Sequence, residues 1–369
     1  MALFGKVAQA VGLDIGSEVI RVVQLKPSTD PILIKHASLK TEGCLADGEI
    51  TDVEALANHV SSLFRQANIT ERRVILGISN QKVIVRLLTM PYMEKDDLKN
   101  AIQFQAQENI PIPIEDTILD YQVIKDFTNE DKERTLQIVL VAAQKEMVQH
   151  HISALEKAKL RPYIVDVASF ALSRSLLGKE AIVPDDKELE KNAAAIGFLD
   201  IGESVTNISI VQNRLPLFCR VMPMGEGTFV KAISDALAIS LEEALKLKAE
   251  IGFSKQGEEL TAELKKSELE TGGKVRQILT DEVFKFTNEV RRSFEYGLSQ
   301  NTKNEELDEL IISGAGSLSR NLISYFEDAY SKVSIGDPLS AVTLSPSAQL
   351  GEANGYAISI GLALRGLDE

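Results

Sequence analysis

The sequence predicts an α/β protein made of two related halves that face each other across a cleft. Three observations carry this expectation. A glycine-bent hairpin pattern occurs twice, half a chain apart. Strand-like and helix-like periodicities alternate between the copies. The 369 residues also exceed what one compact core organises, which points to two domains or two halves with insertions.

The first copy is Val11-Gly12-Leu13-Asp14-Ile15-Gly16-Ser17, an apolar run that continues past the bend over residues 19–25. The second is Ile196-Gly197-Phe198-Leu199-Asp200-Ile201-Gly202-Glu203, followed by residues 205–211, where Ile208 and Ile210 alternate with polar neighbours. Strand periodicity on both sides of a glycine reads as a β-hairpin. Glycine at the bend permits a positive φ or a close backbone approach. A single aspartate before glycine is an ordinary turn feature. Two of them, 186 residues apart (200 minus 14), argue for duplication.

Between the copies, strands are expected at 73–77, 83–88 and 136–142. A helix over 94–109 places Leu98, Ile102 and Ala106 on one stripe, and Pro111 and Pro113 stop it. Another helix over 145–159 turns Val148, Ile152 and Leu155 inward. The polar stretch 177–192 reads as a linker. In the second half, a charged helical region over 242–266 is interrupted at Gly252 and Gly257. The next helix aligns Val283, Phe286, Val290 and Phe294 as one buried stripe. Leu310-Ile311-Ile312-Ser313-Gly314-Ala315-Gly316-Ser317 is a strand opening into a glycine turn and a helix, and 357–364 is an apolar helix closing the core.

Composition narrows the class. With 44% hydrophobic and 25% charged residues, the chain is neither disordered nor collagen-like. A formal charge of -14 repels polyanions and argues against nonspecific nucleic-acid binding. Cys44 and Cys219 fall in different halves without CxxC spacing, so neither a disulfide framework nor a zinc site is expected. His36, His59, His150 and His151 are poorly spaced for a metal and read as structural or surface residues. No uncharged apolar run approaches the roughly 20 residues that span a bilayer. Residues 1–11 lack the long apolar core of a signal peptide, so a cytoplasmic protein is expected.

For chemistry, no GxxxxGK[ST] motif occurs, which removes the P-loop reading. Gly314-Ala315-Gly316 opens like a dinucleotide motif. However, Ser319 stands at the third glycine position, and a Rossmann unit normally begins a domain. The paired hairpins point elsewhere. A glycine bend exposes backbone N–H groups that cradle phosphate oxygens. An aspartate beside each bend, Asp14 and Asp200, can hold the water shell of Mg2+. Facing hairpins would clamp one nucleotide tail, while the turn over 314–317 would let backbone approach base and ribose.

These residues resemble the motifs of the actin, Hsp70 and sugar-kinase superfamily. Asp14-Ile15-Gly16-Ser17 with Arg21 is similar to its first phosphate motif. Asp200-Ile201-Gly202 with Thr206 is similar to the second, and Ile312-Ser313-Gly314-Ala315-Gly316 to the adenosine motif, with Glu203 a departure from the second. The middle of the chain narrows the match: Met90-Pro91-Tyr92-Met93, Gln107-Glu108-Asn109, residues 110–116 from Ile110-Pro111-Ile112-Pro113 onward, and Leu119-Asp120-Tyr121-Gln122-Val123 resemble the inserted subdomain of the PilM family of type IV pilus assembly. Arg291-Arg292-Ser293-Phe294-Glu295-Tyr296 and Gly361-Leu362-Ala363-Leu364-Arg365 extend the resemblance along nearly the whole chain.

The resemblance implies an actin-like, duplicated ribonuclease H-like fold. Its first half would span 1–195 with an α/β insert at about 34–161, and its second 196–369 with a helical subdomain at about 228–280. It implies ATP and Mg2+ as ligands. Arg21 and Thr206 would reach the phosphates, Glu203 would assist the metal, and Lys248 would lie on the adenosine side. Leu245 replaces the family's acid near Lys248. It also implies a partner, the N-terminal cytoplasmic tail of the inner-membrane protein PilN, bound beside the insert at the inner face of the membrane. Two other classes stay open: a kinase of the same superfamily, with Asp166 as catalytic base, and an FtsA-like filament protein. An FtsA-like protein usually ends in an amphipathic helix, whereas this chain ends in an acidic tip, Arg365-Gly366-Leu367-Asp368-Glu369. The phosphate cradle is plainer than any group that would orient an attacking water, so slow hydrolysis or none is expected of the protein alone.

Overall fold

The computed structural model describes residues 9–41, 43–46, 48–129, 131–177, 193–213, 215–253, 266–301 and 306–367. The expected linker at 177–192, the break around Gly257 and the acidic end at 368–369 lie wholly or mostly outside these residues.

The first half opens on the expected hairpin. Strand β1 (Ala10–Ile15) pairs antiparallel with β2 (Val19–Lys26), which sets Asp14 opposite Arg21, and β3 (Ile32–Lys40) extends the meander. A two-residue ribbon, β4 (Leu45–Ala46) with β5 (Glu49–Ile50), leads into helix α1 (Val53–Gln66). Asp52 caps α1 by accepting the Ala55 N–H at 2.9 Å, which satisfies one donor that the first turn leaves orphaned. Leu56, Val60 and Leu63 form its buried stripe. Strand β6 (Arg73–Ile78) then lies parallel to β1, with Gly77 beside Asp14.

From β6 the chain enters a separate layer. Strand β7 (Val83–Pro91), helix α2 (Lys95–Asn109), β8 (Thr117–Thr128) and β9 (Arg134–Gln144) build a three-stranded antiparallel sheet in the order β7-β9-β8. The Leu98, Ile102 and Ala106 stripe of α2 packs on Leu136, Ile138 and Leu140. Helix α3 (Lys145–Lys157) leads back to β10 (Arg161–Val167), parallel to β6, and to α4 (Ala168–Leu176).

The second half repeats this plan. Strands β11 (Ala195–Ile201), β12 (Thr206–Gln212) and β13 (Leu215–Met222) form the meander. Helices α5 (Glu226–Leu237), α6 (Leu241–Ile251) and α7 (Lys266–Asn301) follow. The half continues with β14 (Glu309–Ser313), the four-residue α8 (Ser324–Glu327) and β15 (Val333–Ile335). Its sheet order, β13-β12-β11-β14-β15, matches β3-β2-β1-β6-β10 of the first half. Val283, Phe286, Val290 and Phe294 are fully or almost fully buried along α7. The helix expected directly after Gly314–Ser317 is a short 3-10 turn, Ala315–Leu318.

Two expected boundaries are corrected. Residues 34–78 are not part of an insert, because β3 pairs with β2 and β6 with β1 inside the main sheet. Periodicity identifies a strand but not its partner. The second half also does not run to 369. Strand β16 (Thr343–Leu344) pairs with β3, and helix α9 (Ala357–Arg365) packs on β1, β2 and β6. Helices α4 and α9 cross between the two sheets, where Ala171, Leu172, Ile358 and Leu362 pack with Ile75 of one half and Phe198 and Ile311 of the other. The crossing is so close that a Cβ on Gly361 would stand 1.8 Å from the Ala171 carbonyl oxygen.

Candidate functional site

Each hairpin bend is closed by its own glycine. The Gly16 N–H donates to the Val19 carbonyl at 3.2 Å, and the Gly202 N–H to the Val205 carbonyl at 3.0 Å. A Cβ at either glycine would approach that carbonyl to 2.9 or 2.8 Å, so the tight bends need residues without one. Thr41, at the end of β3, pins the first bend from behind: its N–H donates to the Glu18 carbonyl at 2.8 Å and its hydroxyl to the Ser17 carbonyl.

The bends face one another, and the cleft between them is lined by Asp14, Gly16, Ser17, Glu18 and Arg21 from the first half and by Asp200, Gly202, Glu203, Ser204 and Asn207 from the second. Asp14 and Asp200 are 8% and 7% exposed. Burial pushes the Asp14 carboxyl up to about 7, against the pull of Arg21 and with a push from Asp200. Burial also raises Asp200, while the Asn207 amide and Arg21 pull it down. Burial raises Glu203, and Glu226 and Glu18 add to it. Two buried carboxylates with a single arginine between them are a standing electrostatic cost that a cation would relieve.

The glycine turn closes the floor. Gly314 adopts φ +83°, and a Cβ there would sit 2.4 Å from the Ile201 carbonyl oxygen. Gly314 and Ala315 line the cleft, whereas Gly316 packs on the Ile201 side chain. Ser317 is buried, donating to the Gly314 carbonyl at 2.7 Å and accepting from Asn354 at 3.2 Å.

Several of the expected site residues have partners within the fold. Thr206 is fully buried and its hydroxyl donates to the Met224 carbonyl at 2.7 Å, tying the hairpin to the start of α5 rather than facing the cleft. Lys248 is 5% exposed and pairs with Glu226 at 2.5 Å and with the Ser319 hydroxyl at 2.9 Å. It holds the neighbouring helices together and does not line the cleft. Leu245 on α6 is half exposed. Asp166, considered as a base, is ion-paired with Arg174 at 3.1 Å, and Arg174 donates to the Gly361 carbonyl at 2.8 Å. That carboxylate, on β10, holds the arginine that ties α4 to α9.

Other residues enter the cleft that the motifs did not indicate: Gly48, Ser79, Asn207, Gly355 and Ile358. Asn207 had a readable signal. It lies seven positions after Asp200, as Arg21 lies seven after Asp14, and the registers Asp14 with Arg21 and Asp200 with Asn207 are equivalent. Gly355 packs against the Arg21 guanidinium, and Arg21 lies 5.8 Å from the Tyr356 ring centre. These residues arrive with the returning C-terminal segment, and no local pattern announces them. Among the described residues, no cluster of three or more His, Cys, Asp or Glu side chains could hold a metal by itself. No helix among them is long and apolar enough to cross a membrane.

Duplicated sheets, two glycine-bent hairpins each preceded by a buried aspartate, and a third glycine turn at the cleft floor define an actin-like ATPase fold. Residues 12–367 match the family of the type IV pilus assembly protein PilM, and the chain belongs to that family. Among solved structures, it is similar to a PilM-PilN type IV pilus biogenesis complex, with TM-score 0.80 and 26% identity over 99% of this chain and 100% of that one. Its fold is also that of MreB5 of Spiroplasma citri bound to ADP, with TM-score 0.51 and 13% identity over 98% of this chain and 96% of that one. A curated relative is the cell division protein FtsA of Bacillus subtilis (strain 168), 24% identical over 66% of this chain; the chain spans 58% of that relative's length.

Proposed function

We propose that the protein binds ATP with Mg2+ in this cleft and acts in type IV pilus assembly by holding the N-terminal cytoplasmic tail of a PilN-like inner-membrane protein. The observation that carries the first part is the pair of buried carboxylates, Asp14 and Asp200, on facing glycine bends. They fit a hydrated cation better than an empty cleft, because two carboxylates leave most of the coordination to water and phosphate oxygens. Arg21 supplies positive charge to the phosphate side. The bends over 16–18 and 202–204 present backbone to the phosphates, and Gly314 and Ala315 leave room for the nucleoside. When bound, the ion would screen phosphate charge; the chain's own residues bind, orient and exclude water.

The second part is supported by the whole-chain similarity to the PilM-PilN complex and by the family match. A protein holding a membrane protein's tail would work at the inner face of the cytoplasmic membrane. Turnover by the protein alone is expected to be slow or nil. The commitment of Asp166 to Arg174 removes the base that a small-molecule kinase would need, which disfavours that alternative.

One linked titration tests both parts. Mg-ATP binding is measured for the wild-type and Asp14→Ala proteins, and binding of a synthetic PilN-type N-terminal peptide is measured with and without Mg-ATP. Affinity for Mg-ATP should fall at least about tenfold in the variant, or about 1.4 kcal/mol. The peptide should bind wild type in at least one nucleotide state. Equal nucleotide affinity in a folded variant overturns the first part, and no peptide binding in either state overturns the second.

A further inference from the structure

One hydrogen-bonded chain crosses the cleft from half to half. The Asn207 Nδ2 donates to Asp200 Oδ2 at 3.1 Å, and the Ser79 hydroxyl donates to Asn207 Oδ1 at 2.6 Å. Asn207 is 4% exposed, and both ends of its amide are committed. It cannot follow one partner far without straining the bond to the other. Asp200 and Asn207 belong to the second half, while Ser79 directly follows β6 of the first.

Ser79 also begins the connection from β6 into β7, the first strand of the inserted sheet, and that connection is stiff. Asn80 is buried, its Nδ2 donating to the Gly48 carbonyl at 2.9 Å and its Oδ1 accepting the Lys82 N–H at 2.9 Å. The Val83 N–H donates to the Asn80 carbonyl at 3.0 Å, the Gln144 N–H to the Lys82 carbonyl at 3.2 Å, and Lys82 is ion-paired with Glu49. Two chain segments therefore touch two cavities. Gly48 and Ser79 line the cleft, and their near neighbours Glu49, Ile50 and Lys82 line a second, outer cavity together with Gln144, Glu146 and His150. That outer cavity lies where the main sheet meets the insert.

We propose that Ser79 and Asn207 form a latch that transmits the occupancy of the cleft at Asp200 to the inserted sheet and its outer cavity. This rests on the nucleotide reading above. Asp200 is the carboxylate that a bound cation would draw on, and Asn207 is its hydrogen-bonding partner. Any shift of that carboxylate changes the pull of Asn207 on Ser79, and the clamped 79–82 connection carries the change to β7. A ligand moves such an equilibrium only through a differential interaction with its two arrangements. The Asp200–Asn207–Ser79 chain supplies one, and Ser79 and Asn207 are its positioning residues.

Hydrogen exchange of the full-length protein, with and without saturating Mg-ATP, tests the latch. In wild type, Mg-ATP should change exchange over residues 80–91 by about threefold or more, the scale of one hydrogen bond. In Ser79→Ala, again at saturation, that change should fall below about 1.5-fold while the change at the two glycine bends persists; Ser79→Thr should restore it. Asn207→Ser, which breaks the chain from its other side, should give the same loss. A merely structural role for Ser79 would alter exchange equally in both nucleotide states and leave the ratio intact. A full Mg-ATP response over 80–91 in Ser79→Ala, or none in nucleotide-bound wild type, overturns the latch and leaves the nucleotide reading standing. A wild-type protein that binds no Mg-ATP overturns both.

Discussion

Asp14, the penultimate residue of β1, has its carboxyl almost out of reach of water, and burial moves its pKa from 3.8 to about 7. The folded protein therefore holds this proton through a pH range in which the unfolded chain has released it. Where the folded state binds more protons, stability falls as pH rises. The contribution of Asp14 is thus most favourable below about pH 4 and is lost by about pH 7. The displacement corresponds to about 4 kcal/mol at most. Asp14→Asn, which cannot ionise, should unfold at higher urea than wild type at pH 8, and the advantage should shrink towards pH 4. Parallel urea midpoints for the two proteins across that range would contradict the assignment. The same residue gives the opposite slope for ligand: ionised Asp14 favours a cation, so Mg-ATP affinity should rise between pH 6 and pH 8. Calorimetric titrations at both pH values check this, and an affinity that falls with pH would contradict it.

At the scale of elements, the decisive contact is the crossing of α4 and α9. Alanines and a glycine allow the two backbones to meet, and Arg174 of α4, held by Asp166 of β10, donates to the Gly361 carbonyl of α9. Gly361→Ala places a methyl group against the Ala171 backbone, which no rotamer change relieves. The helices must separate, at a cost of about 3 kcal/mol or more. Gly351 is a control: a Cβ there meets nothing within 4 Å, and Gly351→Ala should stay within about 0.5 kcal/mol of wild type. Thermal unfolding of both variants decides the point, and a Gly361→Ala protein as stable as Gly351→Ala would show that the crossing yields easily.

At the scale of the molecule, the last part of the chain returns to the half where the chain began. Helix α9 lies on β1, β2 and β6, and β16 completes the first sheet's edge. Ending the chain at residue 337 would expose Val23, Ile75 and Leu172, among other core side chains, and leave Arg21 without Tyr356 and Gly355. Such a truncation should damage the first half, although all of that half's own strands other than β16 remain. Proteolysis would read this out as early cleavage within residues 10–176. A truncated protein with a native-like protease pattern there would mean that α9 is dispensable.

Local chemistry made the duplicated hairpins legible in the sequence, because alternation, aspartate and glycine act within a few residues. The same holds for α2, α3 and α7, whose apolar stripes repeat at helical spacing, and these elements appear within a few residues of where the pattern places them. The pairing of the two motifs showed a duplication, and the actin-like fold class was implied by the resemblance of both, with the late glycine turn, to a known superfamily. The remaining features depended on which segments meet. Nothing local shows that β3 and β6 belong with the hairpin rather than with the insert, or that α9 crosses to the other half. Nor does a sequence show that Thr206 and Lys248 spend their polar groups on neighbouring elements while Ser79 and Gly355 line the cleft. Strand pairing and side-chain hydrogen bonding are satisfied by whatever partner the whole fold brings close, so the tertiary structure alone decided them.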